Sequence, residues 1–552
     1  MTNKTFHISG RIIGQKTRQG VAGLLVEAWD KDLIIDDLLG STMTKADGTF
    51  QLSFDESYFR ELFSDKQPDL YFKIYNQEEL IKSTEDSVLW NVKEQESEVV
   101  IELEAVPPLE NNPESKLTVT FINNSKVDNS AVYIGFVTGV STVSIVNLKD
   151  STPIKSVEDV DGAYPAKGNW YSLDQLPSGI GIKSFSGRIY VCYTKPWEVQ
   201  RKGYEPAQAV NDPNLFLRYD KMELTFTGAS ADVANLTSID YWSIPMSLNK
   251  LYEGKVVQTA KGLLPNVTTQ EVYDALNKLT TPPVSGLDKT WPALVPGQWP
   301  DSPSDATFAR IVGPSSYPPV EGIPVTPYDL FKDYLNYLLT KFGPDTIKGD
   351  GGVPNLGNGV IAHIVGDFAG VGPNVPSKGP QSKQTYTLEA IIDQDLNITL
   401  TGTVSGVTGN TTMLYKNVDL LNPSGIYGGN TPYCLNGASK LTYPLNDVYG
   451  WIGGDLFSGL NIGAVGSTAK SSEGIVGGLN SQLWFKLPIS SFFANMQPNY
   501  QYYNQWAAAL SKLSEAYNFP YSDRFAHVFV SLNPKDVDTL EIVLEDATVK
   551  MD

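Results

Sequence analysis

In the segment YDKMELTFTG, residues 219–228, Met222, Leu224 and Phe226 alternate with Glu223, Thr225 and Thr227. A period of two belongs to a strand with one face buried and one face wet. Strand-like runs recur along the chain, in FHISGRII, TFQLSF, LYFKIYN, KLTVTFIN and AVYIGFVTG, with polar turns between them. The 47 Gly and 35 Pro supply those turns, and 28 Tyr and 10 Trp suit pleated, half-buried surfaces. The pattern predicts a mainly β protein. At 552 residues the chain is too long for one core, so two or three domains are expected.

Residues 1–105 read as a separate unit. Five runs, FHISGRII, GLLVEAWDKD, TFQLSF, LYFKIYN and SEVVIELEAV, suggest a small Greek-key β-sandwich, with Asp47-Gly48 as a hairpin signal. One short helix is expected at ESYFRELFSD. Residues 106–116, VPPLENNPESK, form a proline-stiffened linker. Residues 117–552 form the large domain. Within it TTQEVYDALNKL should be a capped helix, and YDLFKDYLNYLLTKFG and QWAAALSKLSEAY should be helices too. The tract 344–384 is rich in Gly and Pro, and its apolar island GVIAHIVGDFAGVG reads as a pair of strands.

A net charge of −20 argues against nucleic acid as a partner, since phosphates would be repelled, whereas a neutral polysaccharide is indifferent to it. Cys192 lies in an apolar run and Cys434 in a turn, so buried free thiols are expected rather than a bridge. The three histidines are scattered, which disfavours a zinc site or a histidine-dependent triad, and no cofactor is expected. Asp30, Asp32, Asp36 and Asp37 share one loop. Convergent carboxylates are what Ca²⁺ requires, but no second acidic loop supplies further ligands, so an acidic solvated turn is the leading expectation and calcium the alternative. No signal-peptide core and no membrane-length apolar run is present, which leaves export by a non-classical route or a cytoplasmic location open.

Two acids carry the chemistry. Glu223 points away from the apolar face of its strand, beside Thr225 and Thr227. In LTSIDYWSIPM, continued alternation would put Ser238, Asp240 and Trp242 on one face. Two carboxylates with hydroxyls and an aromatic ring suit sugar cleavage, in which one acid protonates the leaving oxygen, the other activates water or attacks carbon, and the ring stacks on a pyranose. Two solvated strand carboxylates are the competing reading.

SGRIYVCYTKPW (186–197), the acidic pair, ARIVGPSSY (309–317), YDLFKDYLNYLLTKFG (328–343) and AYNFPYSDRFAHVFVSL (516–532) stand in an order that resembles the β-1,3-glucanases of glycoside hydrolase family 64. Ala516, Tyr517, Phe519, Pro520, Tyr521 and Asp523 match that family's tail motif, while Ser522 replaces an aspartate. The resemblance spans about residues 116–547. It implies a large thaumatin-like β-sandwich with a flanking helical, loop-rich subdomain, and an inverting endo-β-1,3-glucan hydrolase. Glu223 would then be general acid and Asp240 general base, with Tyr193, Thr225, Trp242, Tyr521 and Asp523 lining the sugar groove. An acid kept protonated near neutral pH would need an apolar or anionic neighbour, and Asp240 or Trp242 is expected to supply it. The first unit resembles transthyretin-like or carboxypeptidase-regulatory sandwiches. The alternative function is a non-catalytic glucan-binding, assembly or toxin-like module on the same scaffold.

Overall fold

The computed structural model of the protein describes residues 5–15, 20–30 except 22, 37–55 except 46, 70–84 except 77–78, 97–103, 116–138, 144–206, 212–229 except 216, 232–279, 294–296, 308–316, 327–342, 356–368 except 357–358, 384–444, 447–522 and 528–549. Three large hydrophobic cores organise them.

The first core lies within residues 8–103. One sheet sets Thr5–Gly14 between Thr49–Asp55, antiparallel, and Ser97–Leu103, parallel. The other runs in the order Asp37–Met43, Leu25–Asp30, Leu70–Asn76, Glu79–Ser83. Ile8, Ile12, Phe50 and Ile101 of the first meet Val26, Phe72 and Ile74 of the second, with Phe50 and Phe72 edge to face. Two of these strands, DLLGSTM and ELIKS, were not legible among the five expected runs. The Asp47-Gly48 turn does not close a hairpin within a sheet. It carries the chain from one sheet to the other, tied by Asp47 Oδ1 accepting from Thr49 N and Oγ1. The helix expected at 56–65 lies outside the described residues, as do the linker residues 106–115.

The second core belongs to an eleven-stranded sheet. Its longest strand, Ile180–Tyr193, pairs at its start with Leu117–Asn123 and further on with both Val132–Thr138 and Tyr219–Phe226. The last strand, Thr539–Leu544, lies between Leu117–Asn123, parallel, and Met246–Tyr252, antiparallel, so the chain's end is built into the sheet that its middle starts. The helix Thr269–Asn277 has the expected cap, with Thr268 and Glu271 bonding each other's backbone reciprocally.

The third core spans residues 331–519. It packs the helices Pro327–Phe342 and Val448–Ile462 against a sheet in the order Val360–Phe368, Gln384–Ile392, Ile398–Val404, Thr411–Tyr415, Cys434–Leu435. The island expected to form a strand pair makes one strand, Val360–Phe368, whose partner Gln384–Ile392 comes from the next segment. The helix expected over 505–517 stops at Leu510. Beyond it Leu513 O accepts from Leu264 N and Glu515 N donates to Lys261 O, so these backbone groups are spent on a neighbouring segment. Both cysteines are free and buried. Among the described residues no helix is long and apolar enough to cross a membrane.

Candidate active site

Met222, Leu224 and Phe226 of the strand Tyr219–Phe226 enter the second core, which leaves Lys221, Glu223 and Thr225 on the opposite face. The neighbouring strand sets Arg188 across from Glu223 and Ser186 across from Thr225. Arg188 Nε lies 3.3 Å from Glu223 Oε1, and the hydroxyls of Ser186 and Thr225 are 2.9 Å apart. Glu223 remains 44% exposed.

Asp240 is joined to this face through Lys221. The lysine is only 3% exposed, and its Nζ donates to Asp240 Oδ2 at 2.6 Å and to Glu205 Oε1 at 2.9 Å. Asp240 Oδ1 accepts from Ser315 Oγ at 3.0 Å and Ser316 Oγ at 3.1 Å. Gly313 N donates to Asp240 O at 2.7 Å, and a β-carbon at Gly313 would sit 2.5 Å from Ile239 O. Only glycine permits that approach, so the turn Gly313–Ser316 closes over the acid. Burial pushes the Asp240 carboxyl up, but the Lys221 ammonium and the two serine hydroxyls outweigh it and hold it below the usual aspartate range.

Glu205 completes the row. Its Oε2 accepts from Arg188 Nη1 at 2.9 Å and Tyr190 OH at 2.8 Å, and its Oε1 from Tyr241 OH at 3.0 Å. The charges thus alternate as Glu223, Arg188, Glu205, Lys221, Asp240. Behind them, buried Asp220 accepts from the backbone N of Ser243 and Ile244, which fastens the 240–244 segment to the strand Tyr219–Phe226. Burial, against those hydrogen bonds, lifts its carboxyl to about 7.

The expected residues fall in several places. Glu223, Thr225 and Asp240 join one connected polar face. Trp242 does not: it is 2% exposed in the second core. Alternation fails because Ile239 and Asp240 form a bend, and the strand begins only at Tyr241. The immediate neighbour of Glu223 is accordingly the Arg188 guanidinium, not Trp242 or Asp240. Tyr193 is also buried, with the Arg218 guanidinium 5.8 Å from its ring. Tyr521 packs its ring against Gly454 of the helix Val448–Ile462 and donates to Gly429 O, in the third core. The rings of Trp242 and Tyr193 are thus not free to stack on a sugar, while Tyr521 is half-buried at the edge of the third core. Asp523 lies outside the described residues, and so do Asp32 and Asp36 of the acidic loop, where only the backbone of Asp30 and Asp37 is described, paired across two strand ends. No cluster of three or more metal-ligating side chains occurs among the described residues.

Sequence reading missed Arg188, Glu205, Lys221, Ser315 and Ser316. Lys221 shares the face of Glu223 two residues away, and Arg188, Ser315 and Ser316 lie inside SGRIYVCYTKPW and ARIVGPSSY, so their positions were available. Glu205 comes from a loop after a short strand, and no local pattern marks it.

Residues 115–350 match the family model described as beta-1,3-glucanase, glycoside hydrolase family 64. That match covers the region of the chain that carries both acids. A laminaripentaose-producing β-1,3-glucanase in complex with laminaritetraose is similar over 78% of this chain and 98% of its own, at 16% identity and TM-score 0.44. A family 64 β-1,3-glucanase domain from Clostridium beijerinckii covers 80% and 100%, at 14% identity and TM-score 0.47. The laminaripentaose-producing enzyme of Paenibacillus barengoltzii complexed with laminarihexaose covers 95% of each chain, at 11% identity and TM-score 0.40. No curated protein matches the chain.

Proposed function

We propose that this protein hydrolyses β-1,3-glucan internally, by an inverting mechanism with Glu223 as general acid and Asp240 as general base. The observation that carries this reading is that both acids fall inside the family 64 match and on one connected polar face. The environment of Asp240 supports its role. Asp240 is held ionised by Lys221, Ser315 and Ser316, which suits a group that must take a proton from water. Glu223 is the more exposed of the two, which suits a group that must meet a glycosidic oxygen.

In the proposed reaction Glu223 gives its proton to the leaving oxygen as the bond to the anomeric carbon breaks. Water attacks that carbon from the opposite face, and Asp240 accepts the proton the water loses. One step suffices and no covalent sugar–enzyme intermediate forms. The Thr225–Ser186 hydroxyl pair, on the same face, offers hydrogen bonds to sugar hydroxyls.

One observation favours a second reading, a module that binds glucan without cleaving it: Arg188 and Lys221 already pair with the two acids. The purified chain, incubated with laminarin and with insoluble β-1,3-glucan between about pH 4 and 8, separates the two. Release of reducing sugar is the expected result. Co-sedimentation with glucan and no release at any pH would establish the binder.

A further inference from the structure

The row of charges between the two acids contains one carboxylate that neither protonates a leaving group nor activates water. We propose that Lys221 and Glu205 are positioning residues for Asp240: Lys221 aims the carboxylate, and Glu205 takes up part of the lysine so that Asp240 keeps its reactivity as a base. This rests on the reading of Asp240 as general base.

A buried ammonium is costly unless its hydrogen bonds are made. Lys221 has three N–H donors, and two are directed at Glu205 Oε1 and Asp240 Oδ2, while its Nζ stands 5.1 Å from the centre of the Tyr241 ring. The lysine therefore has little freedom, and Asp240 is aimed by a group that is itself fixed. A carboxylate has about four lone-pair sites. On Asp240, Lys221, Ser315 and Ser316 take three, which leaves one for a water. Glu205 has no such vacancy, with Arg188, Tyr190, Tyr241 and Lys221 on its two oxygens. It serves the row and not the substrate.

Without Glu205 the full charge of Lys221 would fall on Asp240, and a carboxylate bound that firmly is a weaker base. Without Lys221, Asp240 and Glu205 would be two neighbouring carboxylates with no cation between them, and Asp240 would be harder to ionise. The charged and titratable groups facing Asp240 are Lys221 from its strand, Glu205 from its loop and, beyond Glu205, Arg188, with the phenols of Tyr190 and Tyr241. Asp220 is turned to the other side, where it holds the backbone of residues 243 and 244.

The sign of the effect follows. A general base must be ionised, so activity falls as pH drops through its titration. Lys221→Met should move this acidic limb of the rate profile to higher pH and lower kcat by about 10²-fold, the loss expected when a catalytic group is misplaced by about 1 Å. Adding Glu205→Gln to Lys221→Met removes the opposing anion and should bring the limb back toward the wild-type position. A purely structural role would lower activity, leave the limb in place and make the two losses add. An unmoved limb in folded Lys221→Met, or a further rise in the double variant, would overturn the proposal. Should Lys221→Met not fold, Glu205→Gln alone decides: its limb should move to lower pH, and a fixed or raised limb contradicts the proposal.

If wild-type protein cleaves no glucan, the function fails, and thermal stability reads the pair separately. In wild type the ionised Asp240 is favoured by folding, so its contribution is present above the unfolded aspartate pKa of about 3.9 and lost as pH falls below it. Lys221→Met reverses this, so its Tm deficit should be small near about pH 4 and grow toward about pH 7. In the event of misfolding, Glu205→Gln is scanned instead: because Lys221 and Arg188 hold the Glu205 carboxyl ionised against the effect of burial, its Tm deficit should have its full size above the unfolded glutamate pKa of about 4.3 and shrink as pH falls below it. A deficit constant with pH would overturn the pairing itself.

Discussion

The strand Tyr219–Phe226 and the helix Val448–Ile462 put opposite demands on their side chains. The strand divides its residues, Met222, Leu224 and Phe226 to the core and Lys221, Glu223 and Thr225 to the polar row. Apart from half-buried Trp451, the helix is surrounded: residues such as Ile452, Leu456, Phe457 and Leu460 are buried, and glycines let bulky rings approach its backbone. An element with one wet face can carry chemistry and advertises that in its period. An element buried all round carries packing and shows no period to read.

The comparison predicts that substitutions at the two elements fail in different ways. Glu223→Gln should reduce glucan hydrolysis by about 10²–10⁴-fold while leaving Tm and glucan co-sedimentation near wild type, since the amide keeps the shape and loses the acidic proton. Asp240→Asn should reduce hydrolysis as severely, with a lower Tm as well because Lys221 loses a partner. A Glu223→Gln variant that hydrolyses laminarin at the wild-type rate would remove the strand's claim to chemistry.

Gly459→Ala tests the helix. A β-carbon there would lie 2.3 Å from the Trp484 ring, and overpacking of this kind costs about 1–3 kcal/mol. Denaturant unfolding should show that loss, while kcat measured on the folded protein stays unchanged. Asp447→Ala should do less. Asp447 Oδ1 accepts from Gly450 N at 2.8 Å as the helix cap, and losing such a cap costs about 1 kcal/mol. If either substitution changed kcat without changing stability, the division of labour between the regions would be wrong.

The same contrast explains what could be read from the sequence. Alternation revealed the strand of Glu223 and the face on which the acid stands. It misplaced Trp242 because counting by twos ran through the bend at Ile239 and Asp240, where Gly313 N donates to Asp240 O from a distant segment. It also missed the helix Val448–Ile462, whose sequence VYGWIGGDLFSGLNI is apolar and glycine-rich on every side. Ser315 and Ser316 lay in a segment already singled out, but nothing local says that their hydroxyls turn toward Asp240. Glu205 was the least legible. Its role depends on four partners from three separate strands, Arg188 and Tyr190 on one, Lys221 on the next and Tyr241 on a third, and sequence spacing does not encode that meeting.

The central claim is that Glu223 and Asp240 act together, in a single displacement by water. The most direct test is to follow laminarin hydrolysis by wild-type protein with proton NMR, recording the anomer that appears first at the new reducing ends, before mutarotation mixes the signals. A single displacement at a β-linked sugar inverts the anomeric carbon, so the account predicts the α-anomer. Initial release of the β-anomer would mean a covalent intermediate and a different use of the two carboxylates, and it would contradict the account.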